Sequence, residues 1–129
     1  MSFPTTEACI EAAEAALAIR FPRPWRDRLL RTNGGEVELA EGTWQVLPVQ
    51  DVSDRKRAGR TANHLVRETA VARGSHGFPA DAVAITDDGF GNYLVLLPAP
   101  SGRDLEDQIY FWDHETGQCT AVGPCEALG

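Results

Sequence analysis

The sequence predicts an α+β fold: a single domain over residues 1–129, with helices packed on one mainly antiparallel twisted sheet of about five to six strands. Three observations predict it. Apolar residues recur at helical spacing early in the chain and again after Thr61, whereas the last third holds short apolar runs cut by Gly, Pro and Asn. Those runs follow one another at hairpin distance, which makes neighbours antiparallel. A chain of 129 residues, 43% hydrophobic and 24% charged, suits one globular domain with one core.

A first helix is expected from about Glu7 to Ile19, capped by Thr5 or Thr6, with Ile10, Ala13 and Leu17 on one face. Phe21, Pro22, Arg23 and Pro24 break it. Pro24 then opens a second helix, where its missing N–H costs nothing, and Trp25 and Leu29 share a face. Asn33, Gly34 and Gly35 stop that helix. Glu36 to Leu39 and Thr43 to Val49 read as strands, with Gly42 in the turn between them. The polar stretch SDRKRAGR reads as a loop. A third helix is expected over Thr61 to Arg73, with Ala62, Leu65, Val66, Thr69 and Ala70 on one side and Gly74 as its stop.

Four more strands complete the pattern: Ala82 to Thr86, Tyr93 to Leu97, Gln108 to Asp113 and Cys119 to Val122. The turn DDGFGN, the polar loop PAPSGRDLED and the turn HETGQ connect them. Trp44, Tyr93, Tyr110, Phe111 and Trp112 fall mostly on strands, where packing is the expected role, with one or two lining a binding surface.

Charge is unevenly distributed. The net charge is −7, from 12 basic and 19 acidic residues. Residues 1–79 hold 11 basic and 10 acidic groups, whereas residues 80–129 hold 9 acidic groups and only Arg103. Direct nucleic-acid binding is disfavoured, because phosphate contacts need clustered Lys and Arg. The acidic half suits a basic partner. Cys9, Cys119 and Cys125 are odd in number and form no CxxC pair, so a reduced, cytoplasmic setting is expected. The start, MSFPTTEAC, lacks the features of a secretory signal, and no apolar run approaches the roughly 20 residues of a membrane span.

The motifs that could carry chemistry fail on spacing. Counted from Asp87, the third and fifth positions of a calcium loop would be Gly89 and Gly91, which offer no side-chain ligand. A phosphate loop needs a Lys and a following helix, but DDGFGN leads into YLVLL. HETGQ has Gln118 where a zinc protease needs its second His. His64, His76 and His114 are isolated. Asp113, His114 and Glu115 are the most suggestive trio for acid–base work, yet neighbouring strand residues point to opposite faces. No catalytic residues, metal ligands or cofactor are expected.

The ordered segments FPRPWRDRLLRTNGG, GTWQVLPV, FPADAVAITDDGFGNYLVL and QIYFWDHETGQ resemble the SUKH superfamily, the Smi–Knr type of domain. The matching positions are Pro22, Asn33, Gly34, Gly35, Trp44, Gly91, Asn92, Trp112, Asp113, His114 and Glu115. They extend over about residues 7–128. The link AIRFPRP departs from the family's usual Leu-Gly step, and the loop from Pro98 to Asp107 is unusually acidic.

The resemblance implies an α+β fold and, for small bacterial members, an immunity role: stoichiometric binding of a cognate toxin, often a nuclease or deaminase, without catalysis. Other members are regulatory or scaffold modules. The motif residues are then fold and cleft residues. The expected partner is a basic, nucleic-acid-acting toxin, met by Asp87, Asp88, Asp104, Glu106, Asp107, Asp113 and Glu115. A third reading is a small hydrolase using Asp87, Asp88, Asp113 and His114, which requires those groups to converge.

Overall fold

The computed structural model describes residues 3–100 and 102–128. Ser101, within the expected acidic loop, lies outside the described residues, as do Met1 and Ser2 of the opening stretch. The elements run α1 (Glu7–Leu17), α2 (Arg23–Arg31), β1 (Glu36–Leu39), β2 (Gly42–Val46), α3 (Arg55–Arg60), α4 (Leu65–Arg73), β3 (Val83–Asp87), β4 (Tyr93–Pro98), β5 (Leu105–Trp112), β6 (Cys119–Gly123) and a short 3-10 helix (Cys125–Leu128). The six strands form one antiparallel sheet in the order β1-β2-β3-β4-β5-β6. The expected α+β architecture holds, with every strand beside its chain neighbour.

The sheet curls. Trp44 of β2 and Phe111 of β5 are three strand spacings apart, about 14 Å in a flat sheet, yet their rings meet edge to face at 5.7 Å. Irregular registers in β3, β4 and β5 bend the ladder. Strands β3 and β4 are buried on both faces, from Val83 to Thr86 and from Tyr93 to Leu96. That burial explains why they read as continuous apolar runs rather than as alternation.

Helix α1 is capped by Thr6, whose hydroxyl accepts from the Cys9 N–H, and buries Ile10 and Ala13. It stops at Leu17, because Ala18 turns left-handed at φ 56°, so Ile19 lies beyond it. In α2, Pro22 is the N-cap, Arg23 rather than Pro24 is the first helical residue, with Pro24 second, and Trp25 and Leu29 are buried. The turn after α2 is built on Asn33. Its side-chain amide accepts from the Val49 N–H at 2.8 Å and donates to the Val49 carbonyl at 2.9 Å, imitating a strand partner. Strand β2 therefore ends at Val46 rather than Val49. Gly34 and Gly35 adopt φ of 121° and 92°, which lets the chain reverse there. Buried Arg28 donates to the carbonyls of Thr32, Gly34 and Leu128, tying this turn to the C-terminal 3-10 helix.

Several expectations are corrected. SDRKRAGR is no plain loop: Asp54 accepts from the Arg57 N–H at 2.7 Å and caps α3. That helix buries nothing, so it left no apolar periodicity to read. Thr61 closes α3 instead of opening the next helix, which starts at Leu65 with His64 as N-cap. Its buried face is Leu65, Thr69 and Ala72, while Ala62 and Ala70 are exposed. The β1–β2 turn residues are Ala40 and Glu41, both left-handed, and Gly42 belongs to β2. Strand β5 begins at Leu105 because Leu105 pairs with Pro98, so Glu106 and Asp107 are strand residues rather than loop.

Candidate interaction surface

In a six-stranded meander, alternate turns gather at the same end. The turn Asp88–Asn92 and the turn Asp113–Gln118 share one end of the sheet, since Tyr93 pairs with Trp112 directly beneath them. Asn92 clasps the two. Its Oδ1 accepts from the His114 backbone N–H at 3.1 Å and lies 2.7 Å from His114 Nδ1. An amide oxygen can only accept, so Nδ1 carries the proton and Nε2 is the other tautomer site. The Asn92 amide nitrogen donates to Asp88 Oδ2 at 2.8 Å.

The acids of these turns are committed to backbone. Asp88 Oδ1 accepts from the N–H groups of Phe90 and Asn92, Asp87 Oδ1 from Gly89, and Asp113 Oδ1 from Glu115. These are the Asx bonds expected of Asp and Asn in turns. Gly91 sits at φ 100°, and a Cβ there would lie 3.2 Å from two His114 ring atoms. Glycine is needed twice over, for the backbone and for the close approach of the neighbouring turn.

Phe90, between these groups, is 80% exposed. The turn leaves it on the surface, with its backbone N–H held by Asp88 Oδ1 at 2.8 Å. Below, Trp112 is buried, packs edge to face on Phe78 at 5.1 Å and donates from its indole to the Gly77 carbonyl at 3.2 Å. Tyr93 donates to Glu68 of α4 at 2.6 Å. Burial and that bond hold its hydroxyl far above the usual tyrosine range. Burial likewise pushes the Asp87 carboxyl up, against the Gly89 N–H, with Glu68 and Asp88 adding to the rise.

The remaining expected contact residues lie elsewhere. Asp104, Glu106 and Asp107 belong to the β4–β5 end, separated from the clasped turns by the length of β5, roughly 25 Å. Asp104 pairs with Arg20 at 3.8 Å on the surface, and Asp107 accepts from the Cys125 N–H at 2.8 Å. The seven acids thus form two groups at opposite ends. Asp87, Asp88, Asp113 and His114 do share one end, but among the described residues no three His, Cys, Asp or Glu side chains are placed to hold a metal ion. Their oxygens are engaged by turn amides instead. Phe90 was visible in the sequence but carried no signal: a lone aromatic in a turn has no periodic partner.

The motif residues Pro22, Asn33, Gly34, Gly35, Trp44, Gly91, Asn92, Trp112, Asp113, His114 and Glu115 all serve the scaffold or its clasped end. Trp44, for example, is buried and donates to the Leu39 carbonyl at 2.8 Å, closing the first hairpin. An Asn-Gly-Gly turn pinned to the strand exit, and a meander locked by an Asn-to-His contact, characterise this α+β domain. The chain belongs to the SMI1 / KNR4 family (SUKH-1), whose model matches residues 4–125. No curated protein was found to match it.

Proposed function

We propose that this protein is an immunity-type binding protein that neutralises a cognate toxin by stoichiometric contact through its clasped turns, in a cytoplasmic setting. The observation that carries the reading is Phe90, exposed on a turn whose conformation is fixed by Asn92, Asp88 and the neighbouring His114. An exposed aromatic on a hydrogen-bonded turn that also carries Asp87 and Asp88 suits the hot spot of an interface with a basic partner. Family membership supports a protein partner of this kind. Asp87, Asp88, Asp113 and Glu115 then provide local charge complementarity. Asp104, Glu106 and Asp107, at the far end, act on approach through the long-range field.

The test is a pull-down with the product of the gene immediately upstream, followed by growth rescue when both are expressed. Phe90→Ala is expected to weaken binding by about 2 kcal/mol, roughly thirty-fold. Asp113→Asn with Glu115→Gln keeps the Asx bond of the turn and is expected to slow association and flatten its salt dependence. Asp104→Asn with Glu106→Gln is expected to change the rate less. Absence of both binding and rescue would favour a regulatory or scaffold module of the same fold.

A further inference from the structure

A separate concavity opens between the N-terminal segment, the turn after α2, the end of β2 and α3, with a volume of about 560 Å3. That is within the range of small-molecule sites. Its lining includes Arg57 and Arg60 of α3, Phe3, Gly34, Asn63 and Asp87. Helix α3 gathers Arg55, Lys56, Arg57 and Arg60 into six positions, in a chain whose net charge is −7. None of its residues is fully buried.

The arginines are organised before any ligand arrives. Both guanidinium groups lie over the Phe3 ring, at 4.4 and 4.7 Å from its centroid. Asp54 binds Arg57 Nη1 at 2.6 Å, and buried Asp51 stands 3.9 Å from its Nε. Phe3 is anchored in turn, its carbonyl accepting from the Asn33 N–H at 2.8 Å. Asp54 and Asp51 hold Arg57 in place, and Arg60 sets a second guanidinium on the same ring, so two forks stand side by side in the wall of the cleft. Guanidinium forks match the oxygens of phosphates and carboxylates.

We propose that this cleft is a binding site for a small oxyanion-bearing ligand, whose phosphate or carboxylate group seats on Arg57 and Arg60. Asp87, lining the same cleft, keeps the anionic group on the α3 side. The site shares Asp87 with the edge of the clasped turns but does not involve Phe90 and requires no toxin.

The test is an amide NMR titration of the full chain, in about 150 mM salt, with inorganic pyrophosphate, adenosine monophosphate and citrate as probes. Saturable shifts at Gly34, Arg57, Arg60 and Asn63 are expected with at least one probe. Response to pyrophosphate and adenosine monophosphate identifies a phosphate ligand, and response to citrate alone a carboxylate. Arg60→Gln is expected to weaken binding about ten-fold, and Arg60→Lys, which keeps charge without the fork, by less. Asn63→Asp, which adds a carboxylate to the wall without touching the arginines, is expected to weaken it too. No saturable shift with any probe up to about 10 mM, or equal affinity in the wild type, Arg60→Gln and Asn63→Asp, would overturn the proposal.

Discussion

Gly91→Ala tests the clasp between the two turns. Two costs are separable at this position. At φ 100° an alanine is forced into backbone space that L residues avoid, at about 1–2 kcal/mol. Its Cβ would also stand 3.2 Å from His114 Cγ and Nδ1 and 3.4 Å from Cδ2. The exposed ring can swing away, but doing so gives up the 2.7 Å contact with Asn92 Oδ1, worth about 1 kcal/mol. The expected loss is about 2–3 kcal/mol. With an unfolding entropy of about 2.1 cal/mol/K per residue, that is a drop in Tm of about 7–11 °C for a chain of this length. Urea unfolding of wild type, Gly91→Ala, His114→Ala and the double variant reads both parts. In the His114→Ala background only the backbone cost should remain, leaving a coupling of about 1 kcal/mol. Gly89→Ala is the control, since Gly89 has φ 78° and a Cβ there would meet nothing within 4 Å. It should cost the backbone term alone. If Gly91→Ala cost less than about 0.5 kcal/mol, or cost the same with and without the His114 ring, the clasp would not be a structural lock.

Other positions give expectations of the same kind. Asn33→Ala strands the buried N–H and carbonyl of Val49 and is expected to cost about 2–5 kcal/mol by urea denaturation; a cost below about 1 kcal/mol would mean that water replaces the amide. Ala40→Asn with Glu41→Gly puts favoured residues at the two left-handed turn positions, φ 52° and 61°, and is expected to raise unfolding free energy by about 1–2 kcal/mol; no gain would show the turn to be unstrained. His64 Nδ1 accepts from the Arg67 N–H and so must be neutral to cap α4. Burial first, and Arg67 second, push its pKa below the ordinary value. Its contribution is therefore complete above the unfolded pKa of about 6.5 and is lost as pH falls through the lower folded value. Wild type should lose stability from pH 7 to pH 5 relative to His64→Asn, which caps without titrating; parallel pH profiles would remove His64 from the cap.

Much of the architecture was readable from local chemistry. The α1 cap, the Pro-led start of α2, the Asn-Gly-Gly stop and the strands on either side of DDGFGN each depend on residues near one another in the chain. Burial makes such signals strong: Trp25, Leu29 and the β3 and β4 runs are apolar because they are inside. Helix α3 was missed for the opposite reason, as a short exposed helix writes no periodicity into its sequence. The start of β5 was missed because Leu105 is held by pairing with Pro98 across a polar loop, and local polarity says nothing of a distant partner.

What the sequence determined by itself was the class of fold, the failure of the calcium, zinc-protease and phosphate-loop spacings, and a set of motif residues. Those follow from spacing along one strand or helix, which a linear chain records directly. The tertiary structure alone decided where the motifs meet. It placed Asn92 against His114, 22 residues away, left Phe90 exposed beside that clasp, and divided the acids between two ends of the sheet. It also set Arg57 and Arg60 over Phe3. These are matters of strand direction and sheet curl, fixed by packing across the whole core, and no local stretch of sequence encodes them.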